Sequence, residues 1–166
     1  QEKVLPVKDK LFRFACRLLE NEEDARDIVQ EVMLRVWKSN HLISRYRNVE
    51  AWCMQIAKNL CLDKIKANKV RQTGKAEIMR EHAAADTVTP YQQLEHHNQR
   101  MLIGAVMSAL PEKQKMVIQL RDIEGFSYQE IAGILEIDMN EVKVNLFRAR
   151  KAVRENLSKM NVYGLQ

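Results

Sequence analysis

Three patches of the chain combine side chains able to bind something, and the most basic lies at residues 143–154. Lys143, Arg148, Arg150, Lys151 and Arg154 stand there without one acidic residue among them. Cationic side chains along a helix bind phosphates, and Arg can also read guanine edges bidentately in a DNA major groove. A second patch is polar and basic: Gln55, Lys58, Asn59 and Lys66 on one side of a helix, with Lys69 and Arg71 following and Tyr46 nearby. Stacking together with phosphate contacts is how single-stranded nucleic acid is held. The third is acidic, with Asp24, Asp27 and Glu31 sharing a helix face with Arg35 at three- and four-residue spacing.

Each patch also has a plainer reading. A basic last turn suits the helix dipole, a charged stripe is commonly a solvated face, and Trp52 in the second patch reads more readily as core than as a stacking platform. Phe147 either faces a groove or packs beneath the helix expected at 89–110. Catalysis has no visible seat: Tyr46, Tyr91, Tyr128 and Tyr163 keep no company of acid–base groups, which weighs against a recombinase. His41, His82, His96 and His97 lack ligand spacing, so neither metal nor cofactor is expected. Cys16, Cys53 and Cys61 are an odd set without CxxC spacing and read as buried free thiols in a reducing compartment.

The elements that must position these patches are helices. Only 5 Gly and 3 Pro, with few alternating β-branched runs, indicate an all-α chain, and 46% hydrophobic with 30% charged residues indicates a packed core. The net charge of +5 and pI near 9.2 favour a polyanionic partner. No stretch is apolar enough to cross a bilayer, which points to a cytoplasmic protein without membrane insertion. The chain opens on Gln1 rather than Met, which is compatible with native residues preceding it.

Periodicity predicts a helix over 7–20 with Leu11, Phe14, Ala15 and Leu18 inward. A second, from about 21–23 to 37 or 38, buries Ala25, Ile28, Val29, Val32 and Val36. Residues 39–48 break the pattern as a loop or short turn. A third helix spans 49–67, its expected buried side made of Val49, Trp52, Cys53, Ile56 and Leu60. Residues 71–88 lack an apolar stripe and read as a flexible linker. Thr89, Pro90, Tyr91 and Gln92 form a capping box opening the next helix, with Leu94, Met101, Leu102, Ala105, Val106 and Leu110 as its apolar residues and Pro111 starting another. Gly125 ends that helix. Ser127 to Glu130 and Asp138 to Glu141 are two further capping boxes, separated by about two turns. Helix, turn, helix with such caps is a helix-turn-helix, and Val142, Leu146, Ala149 and Val153 place the core side of its last member. Asn140, Val144, Phe147, Arg148 and Lys151 fall opposite. The expected architecture is therefore two small helical domains, 1–70 and 89–166, joined by 71–88.

At this point the chain resembles the RNA polymerase sigma factors of the small, two-domain extracytoplasmic-function class. DARDIVQEVMLRVW at 24–37 is similar to the family helix that docks on the clamp helices of polymerase β′. AWCMQIAKNLCLD at 51–63 is similar to the helix that handles the minus-ten element. Leu110-Pro111, the 127–132 segment and the 142–150 helix are similar to the reader of the minus-thirty-five element. The resemblance implies a non-enzymatic initiation factor, monomeric when free, whose partners are core polymerase (β′ clamp helices and β flap), promoter DNA in double- and single-stranded form, and an anti-sigma protein. It implies polymerase contacts at Asp24, Asp27, Glu31 and Arg35. Minus-ten contacts fall to Tyr46, Gln55, Lys58, Asn59 and Lys66, with Asn59 holding a flipped base beside the 39–48 loop. Minus-thirty-five contacts fall to Ser127, Asn140, Lys143, Val144, Phe147, Arg148, Arg150 and Lys151, and the linker threads through polymerase. The chain departs from the family at Glu136, where the turn usually has Gly, at Asn145 for a common Arg, and at Val144 for a common Ser. A helix-turn-helix repressor dimerising through its N-terminal helices is the rival, though it needs neither the Asp24 stripe nor the Asn59 helix.

Overall fold

A computed structural model describes residues 5–73 and 92–163, and side-chain environments over 7–73 and 99–160. Every regular element there is helical: α1 (Leu5–Leu19), α2 (Glu22–Lys38), a short 3-10 turn (Asn40–Arg45), α3 (Val49–Thr73), α4 (Gln92–Ser108), α5 (Glu112–Ile118), α6 (Tyr128–Leu135) and α7 (Met139–Tyr163). The capping box at 89–91 and most of the 71–88 linker lie outside the described residues.

The N-terminal unit is a three-helix cluster. Glu20 takes a left-handed conformation (φ 53°) to end α1, and the Asn21 side chain caps α2 by accepting from the Asp24 N–H at 2.9 Å. Glu22, Glu23 and Asp24 in the first turn suit the positive end of the helix dipole. The buried residues of α2 are those its spacing indicates, Ala25, Ile28, Val29, Val32 and Val36, and α1 buries Leu11, Phe14, Ala15 and Leu18. Asn48 Oδ1 opens α3 by accepting from the Ala51 N–H at 3.0 Å. This helix outruns its expected end: residues 68–73 contain no breaker, so three positions assigned to the linker, 71–73, are helical.

In the C-terminal unit, α5 widens into a π turn over Gln119–Ile123, closed by the Glu124 N–H on the Gln119 carbonyl at 3.0 Å. Gly125 follows at φ 80°, a conformation suited to glycine. The box at Ser127 is complete, with the hydroxyl accepting from the Glu130 N–H (3.1 Å) and the Glu130 carboxylate from the Ser127 N–H (2.8 Å). At the α7 box only the first half forms: Asp138 accepts from the Glu141 N–H at 2.8 Å, while the Glu141 carboxylate turns to Lys113 at 3.2 Å. Glu136 ends α6 at φ 57°. A left-handed non-glycine residue costs roughly 1–2 kcal/mol, so the turn keeps its geometry and Glu136 bears the strain.

Two burial patterns differ from those expected. In α4, Met101 and Ala105 are exposed while Val106, Met107 and Leu110 are buried. In α3 the fully buried set is Cys53, Met54, Ala57, Lys58 and Cys61, while Val49, Trp52, Ile56 and Leu60 are only partly covered. The reason for the second is tertiary. Helix α1 packs against α5 and the π turn, and α3 packs against α6, so one continuous core runs through both units. A helix covered on two flanks buries more than the single stripe that amphipathicity reveals.

Candidate nucleic-acid interface

The α7 face is built on Val142, Leu146 and Ala149, which anchor the helix in the core, with Val153 half-buried behind them. Lys143, Val144, Phe147 and Arg148 project outward in a row. Phe147 is 67% exposed, which rules out its packing beneath α4. None of the three polar or cationic groups here, Asn140, Lys143 or Arg148, has a side-chain hydrogen bond or ion pair among the described residues. Arg150 is otherwise placed: it makes a two-pronged pair with Asp122 of the π turn, at 2.6 and 2.9 Å. The carboxylate raises the Arg150 pKa further, through the hydrogen bond first and charge second. Arg150 thus fixes α7 to the π turn, and phosphate contact would require giving up Asp122. Lys151 stands 4.0 Å from Glu155. The Ser127 hydroxyl is engaged in its cap, and Asn140 is exposed at the start of α7.

On α3 the expected residues separate. Asn59 and Lys66 are exposed, Gln55 is partly covered, and Tyr46 is stacked on Trp52 with ring centroids 4.3 Å apart and planes 12° from parallel. Trp52 is partly buried, packing against the core as well as stacking on Tyr46. Lys58 is the departure. It was expected on the open polar face, yet only 4% of it is accessible and its ammonium lies 2.9 Å from Glu136. The Lys58 hydrogen bond and charge hold the Glu136 carboxyl below its ordinary range, and a hydrogen bond from Gln55 adds to this.

On α2, Asp27, Glu31 and Arg35 face outward, with Glu31 and Arg35 paired at 2.8 Å. Asp24 turns instead toward Lys64 of α3, at 3.1 Å. The surface also holds two apolar residues that a charge-based reading passes over, Leu34 at 51% and Trp37 at 75% exposure. Both fall off the Ala25–Val36 stripe on a helical wheel, and that was the available signal. An exposed tryptophan beside charged residues is the composition of a protein-binding hot spot.

Among the described residues, no group of three or more His, Cys, Asp or Glu could hold a metal, and no helix is long and apolar enough to cross a membrane. Burial pushes the thiols up, Cys53 to about 11 and Cys61 to about 12.

The family models for Sigma-70 region 2 and Sigma-70, region 4 match residues 4–71 and 100–153. The chain is 31% identical over 157 residues to the ECF RNA polymerase sigma factor SigW of Bacillus subtilis, covering 90% of this chain and 84% of SigW. It is also 31% identical over 156 residues to SigE of Mycolicibacterium smegmatis, covering 91% of this chain and 58% of that longer relative, so it spans little over half of SigE. Two solved structures share the fold. The sigma factor RpoE, in complex with the anti-sigma factor NepR from Bartonella quintana, superposes with a TM-score of 0.74 over 95% of both chains at 22% identity. CnrH, in complex with the cytosolic domain of CnrY, superposes with a TM-score of 0.68 over 95% of this chain and 86% of that one, at 20% identity. With both sigma-70 regions matched in order and SigW aligned along most of its length, the chain belongs to the ECF class of RNA polymerase sigma factors, which direct promoter-specific initiation of transcription.

Proposed function

We propose that this chain recruits core RNA polymerase through the outer face of α2 and directs it to promoters by two separate DNA contacts. The observation that carries the reading is the open row Lys143, Val144, Phe147 and Arg148 on α7. An apolar ring beside unpaired cations on a helix-turn-helix suits a major groove: the ring meets a thymine methyl while Arg148 pairs with a guanine. Lys151 supplies a phosphate contact on the same side, and Asn140 lies within reach of the backbone at the start of the helix.

The N-terminal unit takes the melted minus-ten strand. Asn59 supplies hydrogen bonds to an extruded base, and the Tyr46–Trp52 stack supports the loop beside it. Extruding a base costs a few kcal/mol, which hydrogen bonding in a closed pocket offsets. Gln55 and Lys66 flank this position, and Lys66 bears on phosphates. The polymerase surface is Asp27, Glu31 and Arg35 together with Leu34 and Trp37; Asp24 contributes by fixing α2 to α3 through Lys64. The chain carries out no catalysis itself, since the polymerase does so, and it works in the cytoplasm as a monomer until polymerase binds. By likeness to relatives solved with anti-sigma partners, an anti-sigma protein is its expected inhibitor.

Run-off transcription with core polymerase on genomic fragments, followed by start-site mapping, tests this reading. Starts clustered behind a shared pair of elements are the expected result. Failure of the chain to bind core polymerase, or starts without any common upstream sequence, would overturn it.

A further inference from the structure

A cleft of about 260 Å³ opens between α1 and the π turn, lined by Phe12, Arg13, Cys16, Arg17, Gln119 and Ile123. Three arginines stand around it, and two are already neutralised. Arg13 donates to Glu124 at 2.7 and 3.1 Å. Arg26 lies 5.9 Å over the Phe12 ring and pairs with Glu22 at 3.0 Å. Arg17 differs: among the described residues its side chain has one hydrogen-bond partner, the neutral carbonyl oxygen of Gln119, at a long 3.3 Å. The Gln119 amide nitrogen is engaged with Glu124 at 3.0 Å, which fixes the oxygen toward Arg17. Burial pulls the Arg17 pKa below its ordinary value, and Glu20 on the next turn opposes this only from a distance. A Cβ built on Gly104 would stand 4.0 Å from Arg17 Nη1, so α4 passes this guanidinium with bare backbone. A partly buried cation with one weak acceptor therefore sits beside two apolar walls, Phe12 and the half-exposed Ile123.

We infer that this cleft binds a small aromatic carboxylate, with its ring against Phe12 and Ile123 and its charge on Arg17. A carboxylate supplies the acceptors that Arg17 lacks, through the planar pairing that suits a guanidinium. The single uncompensated cation matches a monoanion, whereas a phosphate dianion would bring a second charge into partly apolar surroundings with nothing to balance it. Size narrows the occupant further. Sites for drug-sized ligands run to about 300–1,000 Å³, so this smaller cleft suits a single ring rather than a nucleotide or a partner's helix. The occupant touches α1 and the π turn at once and so bridges the two units. None of the six lining residues belongs to the polymerase or DNA surfaces proposed above, so the inference stands apart from that reading.

Cys16 is the reporter for the experiment, because it lines the cleft and is partly accessible while Cys53 and Cys61 are buried. The rate of its alkylation by a maleimide is measured on the full chain at fixed pH and salt. Benzoate is titrated in, beside benzyl alcohol, which keeps the ring without the charge, and acetate, which keeps the charge without the ring. Benzoate should slow the reaction about fivefold or more at saturation with a Kd of about 1 mM, ordinary for so small a ligand. Benzyl alcohol and acetate should protect far less. Arg17→Gln should weaken benzoate binding about tenfold or more, the scale of lost hydrogen bonds to a charged group, and Arg17→Lys should recover part of it. No protection by benzoate overturns the site. Equal protection by benzyl alcohol reduces it to an apolar notch, and undiminished protection in Arg17→Gln removes the role of the cation; either result overturns the inference. Protection by an acidic, phenylalanine-containing peptide but not by benzoate would reassign the cleft to a protein partner and overturn it as well. The comparison of benzoate with benzyl alcohol on the parent chain decides the matter even where Arg17→Gln does not fold. Neither polymerase nor promoter is present, so failure here is distinguishable from failure in the transcription assay.

Discussion

Leu146 and Phe147 are neighbours on α7 with opposite fates, and truncating each to alanine should separate folding from DNA binding. Leu146 is 2% exposed, so Leu146→Ala should cost about 2–5 kcal/mol of stability. Phe147 is 67% exposed, and its truncation should change stability by under about 0.5 kcal/mol. A phenylalanine side chain presents on the order of 200 Å², so about 130 Å² is open here. Covering half of that against DNA at about 25 cal/mol per Å² gives about 1.6 kcal/mol, or roughly fifteenfold in affinity. Urea denaturation followed by fluorescence anisotropy on a minus-thirty-five duplex, both at one salt concentration, measures the two effects on the same samples. If Phe147→Ala unfolds like a core mutant, or if it binds promoter duplex as tightly as the parent, the reasoning from exposure to groove contact fails.

Arg148→Ala should lose about 1–3 kcal/mol and relax preference at one base pair, whereas Lys151→Ala should weaken all sequences alike and flatten the salt dependence, as parallel binding titrations would reveal. Arg150→Ala should disturb promoter choice less than Arg148→Ala, because Asp122 already holds the guanidinium; equal losses of specificity would reject that distinction. Reversing Asp27 and Glu31 together, or truncating Trp37, should reduce holoenzyme formation in pull-downs with core polymerase while melting temperature holds. Asn59→Ala should lower open-complex formation, followed by permanganate footprinting, more than duplex binding. Burial raises Cys53 to about 11 and Cys61 to about 12, above the ordinary thiol value. Their contribution to stability is complete below about pH 9 and is lost as pH climbs through 11 and 12, since only the unfolded chain ionises them freely. Both should resist thiol reagents at pH 8 in the folded chain and react once it is denatured.

The local features of this protein were legible in its sequence. The stripe of α2, the cap at Ser127 and the break at Gly125 depend on residues within a turn or two of each other, where side-chain period and capping chemistry decide the outcome. The open row of α7 followed for the same reason, since a helical wheel needs only the position of the core side. Glu136 could be singled out as occupying a glycine-like place, but not what holds its carboxylate. Lys58 looked like any cation on a polar face until a second domain covered that face. Arg150 looked like a phosphate ligand until the π turn brought Asp122 beneath it. These outcomes join residues 28 and 78 positions apart. No periodicity connects such pairs; only the packing of α3 on α6 and of α7 on the π turn decides whether a charge faces water, a carboxylate or DNA.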